Sequence, residues 1–77
     1  KMTMSQYEAM SFKQSGRCAI CLTPSENVRY GVLCVDHCHK TNKVRGLLCI
    51  ECNIGIGKFQ DNLQLLINAI KYLKANH

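Results

Sequence analysis

The segment from Val35 to Asn53, VDHCHKTNKVRGLLCIECN, gathers residue types that bind metal ions and transfer protons. One end holds a carboxylate and two histidines, and the other end holds a Cys-x-x-Cys pair followed by an asparagine. Thiolates are typical ligands of structural zinc, whereas carboxylate and amide oxygens suit Mg²⁺ or Mn²⁺. The segment therefore offers ligands for two different ions, one held by sulfur and one held by oxygen.

A second Cys-x-x-Cys pair lies 27 residues upstream, so four cysteines are arranged as two knuckles: Cys18, Cys21, Cys49 and Cys52. Four thiolates complete the tetrahedral coordination of zinc, which makes such a site closed and structural. A chain of 77 residues can bury only a small core, and small domains often need a staple of this kind. We predict structural zinc, with the disulfide framework of a secreted protein as the alternative.

If zinc occupies the cysteines, Asp36, His37 and Asn53 become the candidates for catalysis. Asn53 directly follows the ligand Cys52, and a hairpin that returns through Arg45 would bring the other two residues against it. We predict that Asp36 and Asn53 hold Mg²⁺ or Mn²⁺ and that His37 is a general base, since imidazole titrates near neutral pH. Regular strand alternation would separate Asp36 from His37, so we expect the strand to bend or end there.

A different use of the histidines is also open. His37 and His39 could join Cys34 and Cys38 in a second structural metal site that has no catalytic role. Such a site would leave Asp36 without a function. We otherwise interpret Cys34 and Cys38 as small, partly buried residues.

The formal net charge is +5, from ten Lys and Arg against five Asp and Glu, which favours a polyanionic partner such as nucleic acid. Four basic residues flank the proposed centre and are predicted to contact phosphates, with Arg45 as the strongest candidate: Lys40, Lys43, Arg45 and Lys58. A generally basic, solvated surface is the simpler alternative. Without a signal peptide pattern or an apolar run of about 20 residues, we expect a soluble, cytoplasmic protein.

Helices are predicted at both ends of the chain. Thr3 and Gln6 form a capping-box pattern that opens the first helix, and Gly16 is placed to end it. Asp61 and Gln64 form a second such pattern before the last helix. The last helix carries a main apolar stripe, which we interpret as core packing or as a partner surface: Leu63, Leu66, Ile67, Ile70 and Leu73.

A hairpin is predicted between the knuckles. Residues 28–37 have the composition of a strand, the polar residues 40–43 suit a turn, and residues 44–49 return as a second strand. A short helix is expected near the second knuckle, interrupted by Gly55 and Gly57.

The motif CAIC, together with D-H-x-H and V-R-G-L-L-C-x-x-C-N, resembles the recombination endonuclease VII family of phage nucleases, in the HNH or His-Me finger superfamily. The resemblance extends from SQYEAM through IKYL. It implies a small α+β domain over residues 1–77, namely a ββα-metal finger that zinc staples through the four paired cysteines. Helices at the N- and C-terminal ends would flank this finger.

The resemblance also implies a metal-dependent DNA endonuclease that leaves 5′-phosphate and 3′-hydroxyl ends. Asp36 and Asn53 resemble the ligands of the divalent ion, His37 resembles the general base, and His39 matches a histidine required near the scissile phosphate. Cys38 stands in the middle of D-H-x-H, where relatives can carry an acidic residue.

The implied partner is duplex or branched DNA, with a homodimer through the C-terminal helix as a further expectation and a phage-encoded protein acting in a host cell as the expected context. The rival interpretation is a non-catalytic zinc module that binds nucleic acid or a protein.

Overall fold

The computed structural model describes residues 2–76 of the chain. The elements in chain order are helix α1 (Met4–Lys13), strand β1 (Cys34–His37), strand β2 (Val44–Leu48), helix α2 (Ile50–Lys58) and helix α3 (Leu63–Ala75). The two strands form one antiparallel sheet, and α2 packs against both of them. The predicted small α+β architecture is confirmed at this level, with two strands and three helices among the described residues.

Helix α1 begins and ends with the local interactions that the sequence predicts. The Thr3 hydroxyl accepts a hydrogen bond from the Gln6 N–H at 3.1 Å, and the Gln6 side-chain oxygen accepts one from the Thr3 N–H at 2.9 Å. At the other end, Ser15 and Gly16 have left-handed φ values of 57° and 68°, and the Gly16 N–H donates to the Ser11 carbonyl at 2.8 Å. This closing turn satisfies a terminal carbonyl of the helix and redirects the chain.

The residue after α1, Gln14, attaches the helix to the sheet. Its side-chain oxygen accepts a hydrogen bond from the Leu47 N–H at 2.9 Å, and its Nε2 donates to the Leu47 carbonyl at 3.0 Å. Gly46 leaves the room for this contact, since a Cβ at that position would lie 3.3 Å from the Gln14 oxygen. A side-chain amide thus supplies hydrogen bonds that a third strand would otherwise make along β2.

The first predicted strand is shorter than its composition suggested. Only Cys34–His37 is extended and paired, whereas Ser25–Asn27 and Arg29–Gly31 form short 3₁₀ turns. Tyr30 and Gly31 have left-handed φ values of 68° and 69°, which no strand accommodates. The prediction of a strand over residues 28–37 is therefore wrong for its N-terminal half.

The turn between the strands lies where it was predicted. The Cys38 N–H donates to the Lys43 carbonyl at 2.8 Å, and the Asn42 N–H donates to the Cys38 carbonyl at 2.7 Å. Asn42 has a left-handed φ of 63°, a conformation that Asn tolerates better than most residues. The hairpin is consequently closed by the polar residues between Cys38 and Val44.

Helix α2 is continuous through Gly55 and Gly57, so the predicted interruption is wrong. Each glycine costs about 1 kcal/mol of helix propensity relative to alanine. Closing interactions at both ends of the helix offset that cost. The Cys49 sulfur accepts from the Cys52 N–H at 3.3 Å, and the Asp61 N–H donates to the Ile56 carbonyl at 2.9 Å.

Helix α3 begins one residue later than predicted. Its N-cap is Asn62, whose side-chain oxygen accepts from the Leu65 N–H at 3.0 Å. The predicted capping box of Asp61 and Gln64 is wrong, because the Asp61 carboxylate binds elsewhere and Gln64 donates to Asn68. Asn is as good an N-cap as Asp, so the neighbouring side chain replaces it without loss.

The core is small and includes two of the paired cysteines. Five apolar residues are buried: Cys18, Leu33, Leu47, Leu48 and Cys49. Tyr7 and Met10 of α1 pack against this core from one side, and Ile56 of α2 packs against it as well. The Tyr7 hydroxyl also donates to the Leu33 carbonyl at 2.6 Å. The interior is therefore built around the knuckles, as expected for a domain that a metal ion stabilises.

Helix α3 contributes no buried residue to this core. Six of its large apolar side chains are exposed: Leu63, Leu65, Ile67, Ile70, Tyr72 and Leu73. The radius of gyration is 13.7 Å, whereas a compact domain of this length has about 11.5 Å. The helix thus extends away from the rest of the fold. Among the helices within residues 2–76, none combines the length and the apolar character needed to cross a bilayer.

Candidate metal centre and nuclease site

The four paired cysteines converge on one point. Their sulfur atoms all lie within 4.8 Å of one another, and the Sγ atoms of Cys21 and Cys49 are 3.8 Å apart. A tetrahedron with Zn–S distances of about 2.3 Å has edges of about 3.8 Å. The sulfur spacing therefore fits a zinc ion bound by Cys18, Cys21, Cys49 and Cys52.

Backbone N–H groups at the first knuckle, formed by Cys18 and Cys21, favour the thiolate form of Cys18. Although burial acts to raise the pKa of Cys18, hydrogen bonds from the backbone N–H groups of Cys49, Cys21 and Ile20 lower it to about 6. The Ile20 N–H lies 3.4 Å from the Cys18 sulfur. Thiolate is the form that binds zinc, so these N–H groups favour the ligating state.

A second structural metal site does not form. Within residues 2–76, the four-cysteine cluster is the only group of three or more His, Cys, Asp or Glu side chains close enough to share an ion. Cys34, Cys38, His37 and His39 are not such a group. The alternative that used these residues as zinc ligands is wrong.

A β-bulge interrupts the hairpin between Asp36 and His37. Asp36 pairs with Gly46, and His37 pairs with Val44, so Arg45 is an additional residue in β2. Strand β1 ends at His37. Bulges re-aim side chains and are common beside active sites. The prediction that the strand bends or ends at this point is met by its end at His37, while the inserted residue belongs to β2.

The bulged residue, Arg45, binds the Asp36 carboxylate through both of its oxygens. Its Nε donates to Oδ2 at 2.7 Å and its Nη2 donates to Oδ1 at 3.0 Å. The Asp36 side chain is 9% exposed, and hydrogen bonding to this carboxylate raises the pKa of Arg45. Two parallel bonds of this kind between charged groups are among the strongest side-chain pairings.

A second carboxylate, Asp61, completes the network. Arg45 Nη2 also donates to Asp61 Oδ2 at 3.2 Å, and the Nε2 of the exposed His39 lies 3.6 Å from the same oxygen. Asp61 was not predicted as a site residue, because its type and spacing match a helix cap. The pairing joins residues 16 positions apart, and no local pattern indicates it.

The remaining predicted catalytic residues are His37 and Asn53, of which Asn53 directly follows the clustered Cys52. His37 is exposed at the end of β1, and Asn53 is half-buried in α2. The Asn53 N–H donates to the Cys49 carbonyl at 3.0 Å, which ties its position to a zinc ligand. Within the described part of the chain, no hydrogen bond joins the Asn53 side chain to Asp36 or His37.

The donor types of Asp36 and Asn53 fit a hard divalent ion. Mg²⁺ accepts one or two protein oxygens and keeps several waters, so a carboxylate and an amide oxygen form an adequate set. Arg45 already uses both Asp36 oxygens, however. An ion at Asp36 would therefore compete with the guanidinium.

Basic side chains surround this region. Lys40 and Lys43 are exposed in the hairpin turn, and Lys58 is exposed at the end of α2. An open cleft of about 770 Å³ lies between the hairpin turn and residues 59–62, which connect α2 to α3 and which we call the α2–α3 corner. His39, Lys40 and Arg45 lie along the wall of this cleft. Asp61 also lines the cleft and pairs with Arg45, so Lys40 is the lining cation that makes no ion pair among the described residues.

Comparison with known proteins identifies the family. The profile of the family described as recombination endonuclease VII matches residues 1–75. The chain belongs to the recombination endonuclease VII family. Membership in the endonuclease VII family assigns the chain to a group of nucleases.

Two phage proteins are among the relatives of this endonuclease VII-family chain. The Gene 59 protein of Mycobacterium phage D29 is 45% identical over 74 residues, which cover 95% of this chain and 44% of that protein. The Gene 59 protein of Mycobacterium phage L5 is 41% identical over 73 residues, covering 94% and 43%. The chain thus spans less than half the length of these relatives. No solved structure matches it.

Proposed function

We propose that the chain is a metal-dependent endonuclease domain, spanning residues 1–77, that hydrolyses phosphodiester bonds in DNA. The proposal assigns it to the HNH or His-Me finger nucleases, with β1, β2 and α2 as the ββα unit. The zinc bound by the four cysteines is structural in this proposal. The observation that carries it is the position of Asp36 and His37 at the end of β1, beside the bulged residue Arg45 of β2 and the helix α2 that bears Asn53.

In the proposed reaction, His37 takes a proton from the attacking water. Its exposure at the end of β1 supports this role, because a general base must reach both water and substrate. Asp36 and Asn53 would hold Mg²⁺ or Mn²⁺, which when bound stabilises the charge developing on the phosphate and the leaving oxygen. His39, exposed in the cleft, would lie near the scissile phosphate. The products would carry 5′-phosphate and 3′-hydroxyl ends.

Basic side chains around the cleft would hold the DNA backbone. Lys40, Lys43 and Lys58 are exposed and make no ion pair among the described residues, so their charges are available to phosphates. Arg45 is a further candidate, because its Nη1 makes no hydrogen bond within residues 2–76. Contacts of this kind position the duplex without reading its sequence.

The decisive experiment compares the unmutated protein with His37→Ala on supercoiled plasmid. The zinc-loaded protein should nick the plasmid when Mg²⁺ or Mn²⁺ is added, and the variant should lose this activity while its zinc content and circular dichroism stay unchanged. Lys71→Ala, in α3, is the matched control and should retain activity. A synthetic branched substrate in the same titration distinguishes a junction preference from simple duplex cutting.

A non-catalytic zinc module that binds nucleic acid or a protein is the second candidate. The bidentate pairing of Arg45 with Asp36 favours it, since this pairing occupies the proposed metal ligand. If the unmutated, zinc-loaded protein shows no metal-dependent nicking above background, this module becomes the better assignment.

The apolar face of α3 suggests a homodimer as part of the proposed function. Its exposed side chains, such as Leu63, Ile70 and Leu73, would be covered by the same helix of a second copy. Sedimentation velocity tests this arrangement, and Ile70→Glu should shift a dimer to monomer. A monomeric unmutated protein would exclude it.

A further inference from the structure

Arg45 lies between two carboxylates and is bound to both. It donates two hydrogen bonds to Asp36 and one, through Nη2, to Asp61 at 3.2 Å. The two carboxylate side chains are 9% and 18% exposed, so neither is freely solvated. One guanidinium therefore has a stronger and a weaker partner in the same structure.

The stronger partner is the residue that the proposed function assigns to the divalent ion, so this inference rests on that proposal. A divalent cation at Asp36 would meet a guanidinium that already bonds to both oxygens. Two cations that approach one carboxylate repel each other, and this repulsion is strong where water is partly excluded. Metal binding at Asp36 and the present position of Arg45 are therefore in competition.

We propose that Arg45 transfers from Asp36 to Asp61 when the divalent ion binds, which makes Asp61 a positioning residue of the nuclease site. Asp61 already accepts a hydrogen bond from Nη2, so the second acceptor is in place before the ion binds. Without Asp61, a guanidinium that leaves Asp36 would have no carboxylate partner among the described residues.

The backbone of the α2–α3 corner fixes the position of Asp61 beside Arg45. Asp61 has a left-handed φ of 52°, and its N–H donates to the Ile56 carbonyl at 2.9 Å. Gln60, also left-handed at 60°, donates its N–H to the Gly57 carbonyl at 2.8 Å. A non-glycine residue in this region carries strain. The corner therefore keeps the carboxylate beside Arg45 at a conformational cost that a helix cap would not require.

The test measures Mn²⁺ binding directly, by electron paramagnetic resonance of the zinc-loaded protein without DNA. Asp61→Asn should weaken Mn²⁺ binding about fivefold or more, the lower range for linked binding equilibria, because Arg45 then has only Asp36. Asn tolerates a left-handed φ, so this variant preserves the corner. Arg45→Gln should strengthen Mn²⁺ binding, since the competitor is gone.

The double variant separates transfer from a simple effect of charge. If Asp61 only attracts the ion through its negative charge, Asp61→Asn weakens Mn²⁺ binding by the same factor with Arg45 or Gln at position 45. If Asp61 acts by accepting Arg45, the effect of Asp61→Asn disappears in the Arg45→Gln background. Equal effects in both backgrounds overturn the proposal, as does weaker Mn²⁺ binding by Arg45→Gln alone, which would mean that Arg45 orients Asp36.

Controls distinguish this inference from the proposed function. Asp36→Asn should abolish Mn²⁺ binding; binding that survives this change contradicts the proposed metal site, and the transfer with it. If Asp36→Asn abolishes binding but the double variant shows independent effects, only the transfer is wrong. Zinc content and circular dichroism check the fold of each variant. Should Arg45→Gln fold poorly, Arg45→Lys replaces it and should also strengthen Mn²⁺ binding, because an ammonium cannot bridge both Asp36 oxygens.

Discussion

Gln14 pairs with Leu47 through both ends of its side-chain amide, at 2.9 and 3.0 Å, in the way that a neighbouring strand would. Leu47 is fully buried, so its backbone groups have no water to replace these bonds. A two-stranded sheet whose edge makes no further hydrogen bonds is only marginally stable by itself. The position of β2, and of the Cys49 that follows it, therefore depends on a residue at the end of α1.

Replacing this amide should destabilise the protein measurably. Gln14→Ala leaves the buried Leu47 N–H without its partner, whereas the Leu47 carbonyl keeps the hydrogen bond from the Ala19 N–H at 3.1 Å, and we expect the free energy of unfolding to fall by about 2 kcal/mol. Urea denaturation monitored by circular dichroism measures this change. Gln64→Ala, at an exposed position in α3, is the matched control and should change stability by less than about 0.5 kcal/mol. Equal effects of the two changes would contradict the proposed role of Gln14.

Loss of zinc should unfold the protein. Cys49→Ser removes one of the four clustered thiols. Structural zinc contributes about 10–16 kcal/mol in small zinc peptides, which is comparable to the whole free energy of unfolding of a typical domain. We expect this variant to lose zinc by mass spectrometry and to lose ordered structure by circular dichroism. Cys34→Ser lies outside the cluster and should keep both. A folded Cys49→Ser protein without metal would show that the core alone suffices.

The affinity for zinc should decrease as the pH falls. Burial raises the pKa of Cys49 and of Cys52 in the folded chain, and a cysteine of an unfolded chain is also protonated below about pH 8.5, so zinc must displace protons in either state. The stabilisation by zinc is thus present at higher pH and is lost on acidification. Competition with a zinc-binding dye from about pH 8 to about pH 5 measures this dependence. A constant affinity across this range would mean that the thiols are not the ligands.

Binding to DNA should depend on salt through the hairpin turn. Replacing Lys40 and Lys43 together by Gln should lower the slope of log affinity against log salt by about 2, because each phosphate contact contributes about 0.9. Fluorescence anisotropy with a labelled duplex, without divalent ions, measures this slope. The same replacement of Lys71 and Lys74 in α3 removes equal charge away from the cleft and should leave the slope nearly unchanged. If both pairs act alike, net charge and not the turn binds the DNA.

Short-range patterns in the sequence predicted the structure best. The capping box of Thr3 and Gln6 formed as expected, since its two partners are three residues apart and compete with nothing else. The four cysteines were predicted equally well, because zinc accepts few arrangements and the paired spacing is specific. The end of β1 at His37 was also predicted, from the requirement that two neighbouring residues serve one centre.

Predictions failed where a distant residue or the local backbone conformation overrode a sequence pattern. Asp61 had the right type and spacing for a helix cap, yet Arg45 binds it from the hairpin and Asn62 caps the helix. Residues 28–33 had strand composition, but the left-handed Tyr30 and Gly31 turn the chain instead. The Arg45 pairing with Asp36 could not be predicted, because it depends on the register of two strands and on the bulge.

The single inserted residue in β2, Arg45, has a structural consequence that matters for a protein of this size. A flat ribbon offers two sides, and a small domain needs one of them for its interior. The extra residue, Arg45, lies near the end of the ribbon, and its side chain binds the Asp36 carboxylate of the opposite strand there. One inserted residue can thus place a charged side chain near the end of a hairpin without lengthening any loop, and removing it would restore a regular hairpin.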